Sequence, residues 1–337
     1  MSVSVKLGGM GIIQKVIEER YDFTRVDRPE QLETTHQRRH RKMTVETDQG
    51  KFLVKTYSCD PVILDNLRFQ HHLSDHLARN GLPVAGIKRA KDGKGIVQVD
   101  NWAMELQHFV HAGAMIMSSA ALTASAHALG RFHEVCRDVP VPPRDSRMWR
   151  FSEVPRESLK KFVELAQSTT RRPEMVLESV NVLALFLKDA ADHLSMEKRS
   201  TFENGLIHGD WHGGNLMYDG DELKAIVDLE FAGDGCYLED IAYAVSNLCI
   251  RTTTNEEKMR HRTNILLDNY QIHRTLSYGE QVALFYAVGV KHITTVSYQA
   301  PQHGGIVAGY TAAEWLERLA LQCKWLREEA RRARWGQ

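Results

Sequence analysis

Asp210, Asn215 and Asp228 are the residues whose types and spacing could do chemistry. They lie in two segments, LIHGDWHGGNLMY at 206–218 and AIVDLE at 225–230. A carboxylate, an amide five positions on and a second carboxylate thirteen beyond that suit phosphoryl transfer from a magnesium-nucleotide complex. That reaction leaves the protein little covalent work: it must align an acceptor hydroxyl, hold the cation against the phosphates and neutralise growing charge. Asp210 could accept the hydroxyl proton. Asn215 and Asp228 offer the hard oxygen ligands that magnesium takes, its other positions going to phosphate and water. Gly209, Gly213 and Gly214 let the loop turn sharply and let backbone approach a ligand.

A zinc hydrolase would use some of the same residues, since His208, Asp210 and His212 alternate along the segment and both residue types bind zinc. The chain has no H-E-x-x-H, and a hydrolase gives Asn215 no purpose. His208 and His212 can also be read as hydrogen-bonded residues that shape a tight loop.

The two segments resemble the aminoglycoside phosphotransferase and choline kinase-like family of small-molecule kinases, homoserine kinase-like and spore-coat kinase-like relatives included. Its signature is an H-G-D-x-H-x-x-N loop followed by an I-D-x-E strand end. The resemblance is close over 206–248 and diffuse elsewhere. It implies an α+β, bilobal protein-kinase-like fold with a small antiparallel-sheet N-lobe and a larger, mostly helical C-lobe, with ATP and Mg2+ as cofactors. By position, Asp210 becomes the catalytic base, Asn215 and Asp228 the magnesium ligands, and His208 a loop-shaping residue. Asp240, in the Glu239-Asp240-Ile241-Ala242 stretch, becomes the anchor of the catalytic loop or the cap of the next helix.

The elements that must position these residues follow from periodicity. Ile12, Ile13, Val16 and Ile17 recur at helical spacing, predicting a helix over 11–21. Alternating stretches at 42–47 and 51–57 around Asp48-Gln49-Gly50 predict a hairpin. In a kinase-like lobe its second strand carries the phosphate-facing lysine; Lys55 is the candidate and Lys51 the alternative. The preceding segment, 36–41, is basic and without glycine, where relatives place a glycine-containing turn.

Helix 61–80, ending at Gly81, is the counterpart of the helix whose glutamate pairs with that lysine, yet no Glu occurs between Ser58 and Val99. Gln70, Asp65 or Asp75 could substitute. Strands at 95–99 and 102–106 close the N-lobe, and the crossing at 107–110 should meet adenine through its backbone, which brings Gln107 and Phe109 to the nucleotide. The division is therefore a nucleotide-binding lobe over 1–106 and a catalytic and substrate-binding lobe over 107–337. The latter holds helices near 120–136, 157–167, 173–194, 255–270, 278–298 and 312–334. His133, in Leu129-Gly130-Arg131-Phe132-His133, resembles a packed residue of the family's L-x-x-L-H helix.

Composition agrees with small-molecule partners. The 337 residues suit two lobes, and 43 basic against 43 acidic residues argue against a nucleic-acid or membrane-surface protein. No apolar run approaches the roughly 18 residues of a membrane span, and 1–10 lacks the apolar core of a secretion signal. Five cysteines, none in a C-x-x-C pair, argue against a disulfide framework and for a reducing cytoplasm.

The acceptor is the least constrained part. Trp211 could stack on a sugar, fence the pocket or pack inside the lobe. Glu230, Asp234 and Glu239 lend an acidic tone that would suit an amino-bearing acceptor, while Lys291 and His292 could meet a carboxylate. An amino alcohol, a sugar or an aminoglycoside-like antibiotic fits better than a protein, because no A-P-E activation segment follows Asp228. A catalytically idle nucleotide-binding homologue and a protein serine/threonine kinase are the alternatives.

Overall fold

Asp48-Gln49 is the turn that sets the register of the N-terminal sheet. Gly50 adopts a φ of +106° that a side chain would resist, and the Thr47 hydroxyl both donates to Gly50 O at 2.8 Å and accepts from Gln49 N at 3.0 Å. Strands Arg41–Thr47 and Gly50–Ser58 therefore pair with Lys42 opposite Lys55. Strand Trp102–His108 adds antiparallel on the far side of Gly50–Ser58 and places Glu105 opposite Lys55. Glu30–Gln31 and Ile87–Lys88 flank these strands, and Val97–Val99 also pairs with Trp102–His108. The computed structural model describes residues 9–32, 41–143 and 154–335; most of the basic segment at 36–41 lies outside them.

Both faces of this sheet are covered. Helix Met10–Arg20 presents Ile13, Val16 and Ile17 to a core that includes Val45, Phe52, Val54, Met104 and Leu106. Helix Pro61–Arg79 packs Leu64 and Leu67 against Tyr57 and Ala103. It starts where Asp60 accepts from Val62 N at 2.8 Å ahead of Pro61, a side-chain cap followed by a residue with no N–H to satisfy.

The chain divides into two compact units. One is made of Met1–Gly113, Met217–Asp219 and Leu223–Glu230, the other of Ala114–Leu216, Gly220–Glu222 and Phe231–Gln337. The first compact unit thus includes a return of the chain from beyond residue 216. Strands Leu216–Asp219 and Glu222–Ile226 form a hairpin, and Ile226 N donates to Pro83 O at 2.8 Å while Ile226 bridges Val84. Backbone hydrogen bonding, which sequence patterns do not encode at long range, gives the segment bearing Asp228 to the first unit.

The second unit is mostly helical, with helices Ser119–Val135, Arg156–Thr169, Pro173–His193, Glu256–Tyr270, Tyr278–Gln302 and Ala312–Trp335. Strands Asn204–Ile207 and Gly233–Cys236 pair antiparallel within it. Helix Tyr278–Gln302 starts at a capping box between Ser277 and Glu280 and is buried on nearly every side, as a helix at the centre of a core must be. No helix among the described residues is long and apolar enough to cross a membrane.

Gly289 lies within that central helix, where a Cβ would overlap the ring of the fully buried Phe186. Two effects oppose on substitution by alanine: helix propensity favours it by about 1 kcal/mol, and overpacking a rigid aromatic costs about 1–3 kcal/mol. Gly289→Ala should therefore lower stability, with partial recovery in Gly289→Ala/Phe186→Leu, both read from urea unfolding midpoints; a stabilised single variant would refute the tight contact.

Candidate active site

In the second unit, strand Asn204–Ile207 runs directly into the loop carrying Asp210. Asp240, 1% exposed, accepts from His208 N at 2.7 Å and Gly209 N at 2.8 Å. It also bonds His133 Nε2 at 3.2 Å, and His133 Nδ1 meets the Tyr270 hydroxyl at 2.8 Å. Burial pushes the Asp240 carboxyl up, but these donors and the His133 and His208 rings outweigh it and hold the group below the usual range. Of the two roles open to this stretch, Asp240 is the loop anchor and Glu239 the cap, accepting from Cys236 N at 3.1 Å.

The loop is shaped from within. Gly209 takes a φ of +78°, and Asp210 N donates to His208 Nδ1 at 3.2 Å. Gly213 N donates at 3.2 Å to Asn247 Oδ1, a side chain supplied by the π-helical turn Val245–Ile250 that follows helix Tyr237–Ala244. Periodicity gave no sign of that turn or of Asn247's role, because a π-turn adds one residue inside an otherwise regular helix.

The Asp210 carboxylate is held from several sides. Asn215 Nδ2 donates to its Oδ2 at 2.9 Å and to its backbone O at 3.0 Å. His212 Nε2 lies 3.3 Å from the same Oδ2, while His212 Nδ1 accepts from Gly214 N at 3.0 Å, which puts the ring proton on Nε2. Burial raises the Asp210 pKa, yet the His212 hydrogen bond, the His212 and His208 rings and the Tyr243 hydroxyl bring it to about 2. The group is ionised at any working pH. With the Asn215 nitrogen spent on Asp210, the amide oxygen is the atom it can offer a cation.

Trp211 is not a pocket wall. It is fully buried, donates from Nε1 to Ser125 Oγ at 3.1 Å and packs edge-on against Phe132 and His208. Lys291 Nζ sits 3.7 Å from the Tyr243 ring centre, whereas His292 is a core residue between Ser246 Oγ and Gln322 Oε1, its pKa pushed down by burial to about 3. Among the described residues no cluster of three His, Cys, Asp or Glu is arranged to hold a metal.

In the first unit, Asp228 adopts a φ of +61°, a left-handed conformation that Asp tolerates better than most residues. Its carboxylate meets Lys55 Nζ at 3.4 Å and Lys42 Nζ at 3.4 and 3.3 Å. Lys51, the alternative, pairs with Glu46 at 3.1 Å and stands over the Phe109 ring. Lys42 was missed in the sequence, though a signal existed: a hairpin turning at 48–49 must face residue 42 with residue 55.

The buried carboxylate that faces Lys55 in register belongs to the sheet, not to helix Pro61–Arg79. Asp65 is bonded to Arg68 and Asp75 to Arg89, and Gln70 lines a small cavity with Lys55. Opposite Lys55 stands Glu105, 1% exposed, accepting from the Tyr57 hydroxyl and Gln107 Nε2, each at 2.9 Å, and bonded to His71 of the helix. Burial pushes Glu105 up, but the His71 hydrogen bond, the Lys55 charge and Tyr57 together hold it below the ordinary range.

Beside these lysines is a cavity of about 300 Å³ lined by Leu53, Ala85, Phe109, Val110, Met217 and Val227, with Lys42, Lys55 and Asp228 also in its wall. Apolar walls with a few charged groups suit a flat base carrying an anionic tail, so the residues present fit a nucleotide. The crossing at 107–110 runs along this cavity. His108 N donates to Gly86 O at 2.8 Å and Phe109 N to Lys51 O at 3.1 Å, and the Gln107 amide is turned to Glu105. Gln107, Phe109 and Val110 line the cavity. Glu230 is exposed in the turn Leu229–Phe231.

The fold has counterparts among solved kinases. The structure of amicoumacin kinase hAmiN in complex with AMP-PNP, Ca2+ and Ami superposes with a TM-score of 0.62 at 14% identity, covering 96% of this chain and 94% of that one. The microcompartment-associated aminopropanol kinase gives 0.63 at 15% identity, covering 96% and 100%. The fold is the protein-kinase-like fold of these enzymes. In sequence, the chain is 25% identical over 242 residues to homoserine kinase of Nitrobacter hamburgensis, 71% of this chain and 68% of that protein. Fold and relatives define a small-molecule kinase, a phosphotransferase with an alcohol group as acceptor. The chain belongs to the phosphotransferase enzyme family, whose model matches residues 34–274.

The Asp240 anchor can be tested through pH. An aspartate held low in the folded state contributes stability above its unfolded pKa, about 3.9, and loses it as pH falls through the lower folded value. Asp240→Asn should cost about 2–3 kcal/mol at neutral pH, since a charged acceptor of two backbone N–H groups is lost. The gap between variant and wild type, read from urea midpoints, should narrow below about pH 4; a gap independent of pH would contradict an ionised anchor.

Proposed function

We propose that this phosphotransferase moves the γ-phosphoryl group of ATP, with Mg2+, to a hydroxyl of a small molecule, an amino alcohol first and a sugar or aminoglycoside-like compound next. The observation that carries the reading is the Asp210 carboxylate, ionised and fixed by Asn215 and His212 on a loop tied to Asp240. In this reading residues 1–106 serve as the nucleotide-binding lobe and 107–337 as the catalytic and substrate-binding lobe. Lys55 and the cavity beside Gln107 and Phe109 hold the nucleotide. Asn215 and Asp228 offer the oxygen donors that magnesium prefers, and the ion, when bound, screens the phosphate charge. The free thiols of all five cysteines are in keeping with a cytoplasmic enzyme.

A carboxylate is far too weak a base to ionise an alcohol before the phosphorus is engaged. Asp210 therefore orients the acceptor O–H in the ground state and takes its proton late, once the new O–P bond makes that oxygen acidic. This order suits a loose phosphoryl-transfer transition state.

For the acceptor, the acidic tone argues less, since Glu239 is used as a helix cap. An amino alcohol is supported instead by the names of the relatives, homoserine kinase and aminopropanol kinase.

Asp210→Asn should reduce transfer by about 10²–10⁴-fold while binding of a nonhydrolysable ATP analogue stays within about twofold. The assay is phosphate transfer across a panel of amino alcohols, sugars and aminoglycosides, with calorimetry for the analogue. Near-normal turnover by the variant would remove Asp210 from its role.

A further inference from the structure

We infer that Lys42 is a second phosphate-binding lysine, acting beside Lys55 on the anionic tail of a nucleoside di- or triphosphate; the inference rests on the kinase reading above and concerns how that nucleotide is held. Three observations converge on it. Lys42 and Lys55 stand directly opposite each other on adjacent strands, an arrangement in which like charges repel and cost stability unless an anion is shared. They are only 9% and 5% exposed, so both cations are largely withdrawn from water. Both reach the Asp228 carboxylate, and both lie in the wall of the same cavity.

Two cations rooted on separate strands at the charged part of an otherwise apolar cavity match a ligand whose charge is spread over several phosphoryl oxygens. Ammonium groups suit that task as compact point charges whose donors rotate to different oxygens. Asp228 keeps the pair together until phosphate replaces it as their partner. Number and placement of the cations thus make the site selective for the phosphate tail, while Leu53, Val110 and Val227 meet the base.

The test is equilibrium binding of adenosine, ADP and a nonhydrolysable ATP analogue to the full chain by calorimetry, without turnover. Lys42→Met should weaken the ATP analogue by about tenfold or more, leave adenosine within about twofold and flatten the preference for phosphorylated over bare nucleoside. Lys42→Arg should keep most of that preference, and Lys42→Gln serves if the Met variant melts early. Lys55→Met should give a loss of the same kind. Unchanged analogue binding by Lys42→Met, alongside a loss in Lys55→Met, would overturn the inference and leave the kinase reading standing. Equal losses for adenosine and the analogue would also overturn it, by showing a structural role. Wild-type protein that binds neither ADP nor the analogue would overturn the kinase reading and this inference with it.

Discussion

A carboxylate taken out of water must be met by donors, and Asp240 meets that requirement by binding two consecutive backbone N–H groups of the loop it faces. The loop's conformation and the aspartate's ionisation are therefore one condition. Everything nearer the chemistry depends on it. His208 can turn its ring toward Asp210 N because its own N–H is already engaged, and Asn215 and His212 can close on Asp210 because the chain between them turns at a fixed place. His133 and Tyr270 extend the support into helices Ser119–Val135 and Glu256–Tyr270.

The first unit solves a related problem by strand register. One hairpin turn places Lys42 against Lys55, and one further strand places Glu105 against Lys55. Charges are then arranged across a sheet, where spacing is set by backbone hydrogen bonds rather than by side-chain search. Helix Pro61–Arg79 contributes a histidine, His71, to Glu105, so the orientation of Lys55 relies on the sheet first and on the helix only through that residue. The buried carboxylate opposite Lys55 thus stands on the neighbouring strand rather than on the helix.

The two units show different kinds of legibility. Helices such as Pro61–Arg79 and Glu256–Tyr270 were readable to within a residue or two, because their apolar periodicity and their caps Asp60 and Asn255 act over a few neighbouring positions. The π-turn with Asn247 and the sheet carboxylate Glu105 were not, since each is defined by a partner far along the chain. Trp211 shows the same limit: its type fits a pocket wall or a packed position, and only its contacts with Phe132 and Ser125 show that it is packed inside the lobe.

The chain by itself determined the reaction class, for Asp210, Asn215 and Asp228 sit within a few dozen residues and their types and spacing are local properties. The tertiary structure decided which groups tune them: Asp240 under the loop, Lys42 and Lys55 on Asp228, Glu105 opposite Lys55. The physical reason is that burial and charge compensation depend on distance in space. A carboxylate's partners are set by strand register and helix packing, which bring together residues as far apart as Lys42 and Asp228.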